Sequence, residues 1–437
     1  MCPLAEILMS KGYEISGSDT SDGDTLRRII SYGIPVYMEH APSNVEGVDA
    51  VVYTAAVKSD NPELVAAREQ GIPVIERSVM LGIVTRKYAN SVAVSGTHGK
   101  TTTTAMISQI LIGSGLEPSA IIGGKLPLIG GNSYIGDSDI IVCEACEYVD
   151  TFLQLTPAVS VILNVDADHL DYFENLDNIK KSFRKFTAQT SKTVIVNGDD
   201  KNALEGVSEK HPSPITFGFG QDNVYRAELT SCPETVYDAF DFYCKGEKLC
   251  NIELSVPGKH NVYNALAAAA TAHYMGVSPE QIAENLHSFT GVHRRFEILG
   301  NPCGITVADD FAHHPTEITA TLTAAMQMGF NRVWNIFQPH TYSRTAMLLD
   351  DFAKALSIVD KAVILEILPV RETNTYNISN VDLGNKVRNS ICIDTFEEAA
   401  KYVIENAKQG DLILTMGGGN VYMCANMIRD KLAELEK

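Results

Sequence analysis

Apolar and polar positions recur along this chain in one order: a segment with a single apolar face at helical spacing, a turn, then a short apolar run. PLAEILMSKG, DTLRRIISYG and NPELVAAREQG carry the helical spacing, and YEISGSD, DAVVYTAAV and IPVIER read as the strands between them. That alternation predicts a parallel α/β sheet over residues 1–89. A second block, 90–293, holds the apolar runs SVAVS, DIIVCEA, AVSVILNV and KTVIVNG, followed by an alanine-rich helix from Asn261. Between 211 and 256 the pieces YRAELT, DAFDFYC and LCNIELSV alternate with the period of strands, which predicts a small antiparallel side sheet. From Arg294 to Lys437 the strands GITVADD, RVWNIFQP, KAVILEIL and DLILTMG are separated by helical stretches. The expected architecture is α/β in three domains: a Rossmann-like domain over 1–89, a central P-loop ATPase-type parallel sheet over 90–293, and a second Rossmann-like domain over 294–437.

The first domain is expected to lack its first strand. In a dinucleotide-type fold a strand and a glycine-rich turn precede the first helix, whereas here the helical segment PLAEILMSKG comes first. Asp19, closing YEISGSD, occupies the place where an acidic residue meets a ribose hydroxyl; a simple turn residue is the competing reading.

One break in the pattern carries chemistry. The apolar run VAVS stops at Gly96-Thr97-His98-Gly99, and a helix resumes with Lys100-Thr101-Thr102. Backbone N–H groups of such a loop turn inward, the lysine adds a mobile positive charge, and the helix points its positive end at the same place, which together suit a triphosphate. Thr101 is then the natural Mg²⁺ ligand. The usual glycine five residues before the Gly-Lys pair is Val94, so the loop is a shortened variant. Glu144 stands at the end of DIIVCEACE, where parallel sheets place ligand groups, with Glu147 and Asp150 as nearby alternatives. LNVDADHLDYF ends another strand in a polar cluster, and His169 is its candidate for a second divalent ion, capping of the following helix by Asp168 being the other use.

Four later clusters sit at the ends of regular elements. His260 and Asn264 lie one helical turn apart and could together contact a purine. Arg294 and Arg295 offer fork geometry for phosphate or carboxylate. Asp309 and Asp310 close a strand just before His313-His314-Pro315-Thr316, and His340 and Arg344 hold the matching place after the next strand. Gly417-Gly418-Gly419 suit a tight turn between a strand and a helix better than a second phosphate loop.

Composition narrows the classes. With Asp and Glu exceeding Lys and Arg by 19, the chain lacks the basic surface that holds a phosphate backbone, and no nucleic-acid partner is expected. No apolar run reaches membrane-spanning length and no signal-peptide order opens the chain, so a cytoplasmic location without membrane insertion is expected. The nine cysteines fit reduced thiols, and the Cys143–Cys146 pair has no second pair spaced for zinc.

GTHGKTT, EACEYVDTFLQL, NVDADHLDYF, GKHNVYNA, HRRFE, DDFAHHPTEI and FQPHTYSRT, in this order, resemble the Mur ligases of peptidoglycan synthesis over essentially the whole chain. The last two look specific to the branch that adds L-alanine and to its close relative that recycles muropeptides. The resemblance implies that ATP phosphorylates the lactyl carboxylate of UDP-N-acetylmuramate and that the amine of L-alanine attacks the acyl phosphate. It implies two Mg²⁺ ions, with Mn²⁺ as a substitute, held by Thr101 and by Glu144 with His169. Lys100 would meet the phosphates, His260 and Asn264 adenine, Asp310 the ribose, and Arg295 the γ-phosphate. His313, His314, His340 and Arg344 would orient the amino acid and the acyl phosphate, while Ser18, Asp19, Thr54 and Arg77 would form part of a uridine site. A monomer or weak homodimer is expected. Family members open with a strand and a GxGGxxM turn of which only Met1 remains here, and weak UDP-sugar binding is the expected consequence.

Overall fold

The computed structural model describes residues 1–230 and 237–436. Chain contacts gather into two compact units: Met1–Ala227 with Phe242–Leu249 and Ala265–Asn285, and Glu228–Asp241 with Cys250–Asn264 and Leu286–Lys437. No helix among the described residues is long and apolar enough to cross a membrane.

In the first unit, residues 1–89 alternate helix and strand, but the strands are very short, one of them (Val36–Tyr37) falls where none was expected, and they form two separate parallel pairs rather than one sheet. Gly17–Ser18 pairs in parallel with Val36–Tyr37, and Val51–Tyr53 with Val74–Glu76. The helices Cys2–Ser10, Asp24–Ser31, Pro62–Glu69 and Arg77–Thr85 do most of the packing. Leu4 and Ile7 of the first helix share a core with Phe152, Phe183 and Phe186, so this region is anchored on the central sheet by apolar burial.

The phosphate-loop strand Asn90–Ser95 lies mid-sheet, parallel to Ile140–Glu144 on one side and Val159–Ile162 on the other. Thr193–Asn197 and Ile215–Gly218 continue the parallel order outward from Val159–Ile162. The piece YRAELT joins the same sheet as Tyr225–Leu229, parallel to Ile215–Gly218. Beyond Ile140–Glu144 come Ser119–Leu126 and the antiparallel edge Gly131–Tyr134. Strands Tyr237–Cys244 and Glu247–Pro257 carry residues of both units. Because chain direction is shared, the segments after Ser95, Glu144 and Ile162 all leave at one edge of the sheet, where ligands bind in such folds. The helix after the loop, Lys100–Gly113, is buried from Thr101 to Leu111. Four consecutive threonines are poor helix formers, so tertiary burial rather than propensity holds this helix.

The second unit is a six-stranded sheet, parallel except for its edge strand Glu297–Gly300. Thr306–Asp310, Leu412–Met416 and Val333–Phe337 are neighbours at its centre, which brings Asp310, Gly417 and Gln338 to one edge. Helices Pro315–Gln327 and Leu349–Leu356 cover one face, and Phe396–Asn406 and Tyr422–Leu435 the other.

Candidate active site

The loop after Ser95 takes its shape from two glycines in the left-handed region. Gly96 has φ +142° and would press a Cβ to 3.0–3.2 Å from Leu163 and Asn164, while Gly99 (φ +85°) turns the chain into the helix. Asn164 clamps the loop from the neighbouring strand end: its side chain accepts from the His98 N–H (2.8 Å) and donates to the His98 carbonyl (3.0 Å). The Asp166 N–H donates to Thr97 Oγ1 at 2.9 Å. The DADH segment therefore braces the phosphate loop, a use its sequence did not disclose.

Each of the three carboxylates after Ile140–Glu144 has a separate task. Glu144 accepts from the Gly123 N–H, and a Cβ built on Gly123 would stand 2.5 and 2.8 Å from the Glu144 oxygens and 2.8 Å from Thr101 Oγ1. A hydroxyl and a carboxylate thus converge on a space that only glycine leaves open, and such hard oxygen donors fit Mg²⁺. Buried Glu147 faces Lys100 with both oxygens, at 3.0 and 3.1 Å. Burial opposes the lysine's charge, but the attraction of Glu147 outweighs it and holds the ammonium above its ordinary range. Lys100 also donates to the Gly96 and Thr97 carbonyls. Asp150 points to other partners, Tyr172 and Ser182. His169, in left-handed conformation at the start of Leu170–Phe173, lies against the Tyr148 ring (4.6 Å between centroids) and 3.7 Å from Asp168. Thr102 is buried in the helix's first turn.

Within the second unit, His260 is buried and pushed down to about 4 by that burial, the negative charge of Glu317 opposing the shift and the positive charge of Arg295 reinforcing it. Asn264 donates to Asn261 Oδ1 at 3.1 Å, and Asn261 donates to the Pro257 carbonyl. Asp310 is pushed up to about 6 by burial against the pull of Arg295, and its oxygens accept from the Phe296 and Ala312 N–H groups, both at 2.7 Å. Arg294 is structural: it donates to Asp309 (2.8 Å) and to the Gly417 and Gly419 carbonyls (2.9 and 2.6 Å), fixing the triple-glycine turn. Arg295 lies over the Phe311 ring at 5.2 Å. His313 and His340 are brought together, ring centroids 5.6 Å apart, and a Cβ on Gly418 would touch His340 at 3.0 Å and His313 at 3.4 Å. Burial lowers His340 to about 4, with His313 and Arg344 adding to the effect. His314 caps the following helix, its Nδ1 accepting from the Thr316 N–H. The left-handed Thr341 begins the helix that carries Arg344.

In residues 1–89, Ser18 Oγ donates to Glu63 (2.8 Å) and meets His40 Nδ1 (2.9 Å). Asp19 accepts from the Ser21 N–H and Thr54 from the Ala56 N–H, both turn contacts. Arg77 opens the helix Arg77–Thr85, and its charge is felt at Cys143. Nothing local in the sequence marks Glu63 and His40 as the partners of Ser18.

Family models match in three consecutive stretches: "Mur ligase family, catalytic domain" over 1–89, "Mur ligase middle domain" over 94–272 and "Mur ligase, glutamate ligase domain" over 294–419. The UDP-N-acetylmuramate--L-alanine ligase of Acetivibrio thermocellus is 46% identical over 439 residues, covering 99% of this chain and 94% of that protein. The protein of the same name from Caldanaerobacter subterraneus subsp. tengcongensis is 43% identical, covering 97% and 93%. The crystal structure of the UDP-N-acetylmuramate-alanine ligase of Thermotoga maritima superimposes with a TM-score of 0.84 at 27% identity, covering 100% of this chain and 97% of that one. A murein peptide ligase from Psychrobacter arcticus, at 24% identity and a TM-score of 0.75, shares the fold.

Proposed function

The chain belongs to the Mur ligase family, and we propose that it is an ATP-dependent ligase joining L-alanine to UDP-N-acetylmuramate in peptidoglycan precursor synthesis. The observation carrying this reading is the placement of Glu144 and the NVDADH segment at the ends of the strands on either side of the phosphate-loop strand. Support for L-alanine as the amino acid comes from identities of 41–46% to ligases of that name. The three domains divide near 89 and 293, and the enzyme works in the cytoplasm as a monomer or weak homodimer.

On binding, Lys100 leaves Glu147 for the β- and γ-phosphate oxygens, while N–H groups of the loop from Gly96 to Thr102 cradle them. Thr101 and Glu144 would hold Mg²⁺, with His169 serving a second ion; the metal supplies neutralisation of charge on the transferring phosphoryl group. The lactyl carboxylate oxygen takes the γ-phosphoryl group and ADP leaves. The neutral amine of L-alanine then attacks the acyl carbon, its nitrogen gives up one proton to water, the amide forms, and inorganic phosphate departs with the electron pair of the broken C–O bond. His260 and Asn264 contact adenine, Asp310 orders the ribose-facing loop, and Arg295 meets the γ-phosphate. His313, His314, His340 and Arg344 orient the amino acid, and Ser18, Asp19, Thr54 and Arg77 belong to the uridine side.

Phosphate release from ATP with UDP-N-acetylmuramate present, measured across amino acids and short peptides, tests the reading. Release that requires L-alanine is expected. Release that requires a tripeptide would make this a muropeptide-recycling ligase, and no release with any acceptor would overturn the ligase reading.

A further inference from the structure

Asp150 has a task that its neighbours Glu144 and Glu147 leave untouched. Its backbone and that of Val149 are left-handed (φ 56° and 53°), a conformation unfavourable for any L-residue and most of all for a β-branched valine. His169 and Glu174, at the two ends of the short helix Leu170–Phe173, are left-handed as well. Two strained turns, following the strands on either side of Asn90–Ser95, persist only if something over-determines them.

The contacts that do so run between them. Asp150 Oδ2 accepts from Tyr172 Oη at 3.0 Å, and Oδ1 accepts from Ser182 Oγ. One carboxylate therefore ties the short helix that starts at His169 to the long helix Leu176–Ala188 that follows it. On the long helix the anchor is firm, since Phe152 stacks on Phe186 (4.6 Å) and meets Phe183 edge-on (5.3 Å). At the other end of the turn, Tyr148 lays its ring against the His169 imidazole at 4.6 Å. A four-residue helix cannot hold its own geometry, because nucleation costs more than its few hydrogen bonds return. Its position, and with it that of His169, is set from outside.

We propose that Asp150, through Tyr172 and Ser182, and Tyr148, through ring contact, are positioning residues that hold His169 where a divalent cation can bind. This rests on the assignment of His169 as a metal-side residue under the proposed function. Neither residue touches the reacting atoms; both act through the imidazole and the helix it begins.

The test titrates Mn²⁺ into the full chain with the β,γ-imido analogue of ATP, followed by electron paramagnetic resonance, beside steady-state kinetics. Asp150→Ala is expected to weaken Mn²⁺ binding about fivefold or more, and Asp150→Asn to stay within about twofold because the amide oxygen still accepts from one hydroxyl. Tyr172→Phe should fall between them. The KM for ATP should hold in all three while kcat falls with metal affinity. A residue needed only for folding would lower thermal stability without this split, and the asparagine variant would not rescue it. If His169→Ala weakens Mn²⁺ binding but Asp150→Ala leaves it within twofold, positioning by Asp150 is wrong. If His169→Ala itself leaves Mn²⁺ binding unchanged, the metal assignment of His169 falls and this proposal with it. Should Asp150→Ala fail to fold, Tyr172→Phe and Tyr148→Leu decide by the same readout, unchanged binding in both overturning the proposal.

Discussion

The phosphate loop and the strand ends of the second unit both lie where parallel strands stop, yet they manage charge in opposite ways. At the loop, charge is met by partners: Glu147 holds the Lys100 ammonium above its ordinary range against the effect of burial, and Glu144 accepts from the Gly123 N–H. In the second unit burial shifts groups toward their neutral forms, with His260 and His340 lowered to about 4 and Asp310 raised to about 6. Ionised, paired groups suit a charged ligand that exchanges one partner for another. Neutral histidines suit hydrogen bonding to uncharged groups, such as a purine edge or a free amine.

The comparison breaks most sharply at Lys100. Lys100→Ala is expected to reduce kcat for phosphate release by roughly a thousandfold or more, the scale of losing a preorganised charge at a transferring phosphoryl group. It should also destabilise the protein by about 3–5 kcal/mol, because Glu147 is left as an uncompensated buried charge. Adding Glu147→Gln should restore much of that stability and none of the activity. Recovery of activity in the double variant, read by phosphate release beside a denaturant melt, would show that the lysine's role is only to neutralise Glu147.

Gly123→Ala sharpens the same side. The new Cβ would fall 2.5–2.8 Å from oxygens of Glu144 and Thr101, so one of them must move. A loss of activity of about a hundredfold is expected, with the metal concentration for half-activity rising while ATP binding without metal stays the same. Equal metal dependence in variant and parent would remove Thr101 and Glu144 as a pair of ligands.

Arg294 tests the second unit. Its fork reaches Asp309, Gly417 and Gly419 at once, and lysine cannot reproduce that geometry. Arg294→Lys should cost about 2–3 kcal/mol by thermal melt and raise the KM for L-alanine more than that for ATP. A change in both KM values by the same factor would separate the triple-glycine turn from amino-acid binding.

Legibility followed how local the chemistry is. The phosphate loop could be read because strand, glycines, lysine and helix are contiguous in sequence. The tasks of Glu144, Glu147 and Asp150 could not, since three carboxylates within seven residues look alike until Lys100, Gly123 and Tyr172 are folded against them. Arg294 read as a phosphate fork and turned out to hold a backbone turn more than 120 residues away, as the 123- and 125-residue separations of its bonds show. Asn264 had no explanation as a cap until Asn261 was found beneath it. Of the four strands in residues 1–89 three were read and Val36–Tyr37 was missed, and the strands form two separate pairs rather than one sheet: two- and three-residue ladders leave too little alternation to measure.

The pH dependence of stability is the most diagnostic measure of how the second unit handles charge. His260 ionises at about 4 in the fold against about 6.5 in the unfolded chain, so between those values the unfolded chain binds more protons and stability rises with pH. Asp310 ionises at about 6 against about 3.8, so the folded state keeps its proton longer and stability falls as pH rises through that window. Each contribution is on the order of 3 kcal/mol at 1.36 kcal/mol per pKa unit, and the signs oppose. The parent should therefore show little net slope from these two groups between pH 4 and 6. Relative to it, His260→Gln should lose stability progressively as pH rises from about 4 to 6, and Asp310→Asn should gain it over the same range. Urea denaturation at half-unit steps of pH reads both differences. Parallel curves for parent and variants would mean that folding shifts neither ionisation, and the contrast with the phosphate loop would collapse at its second half.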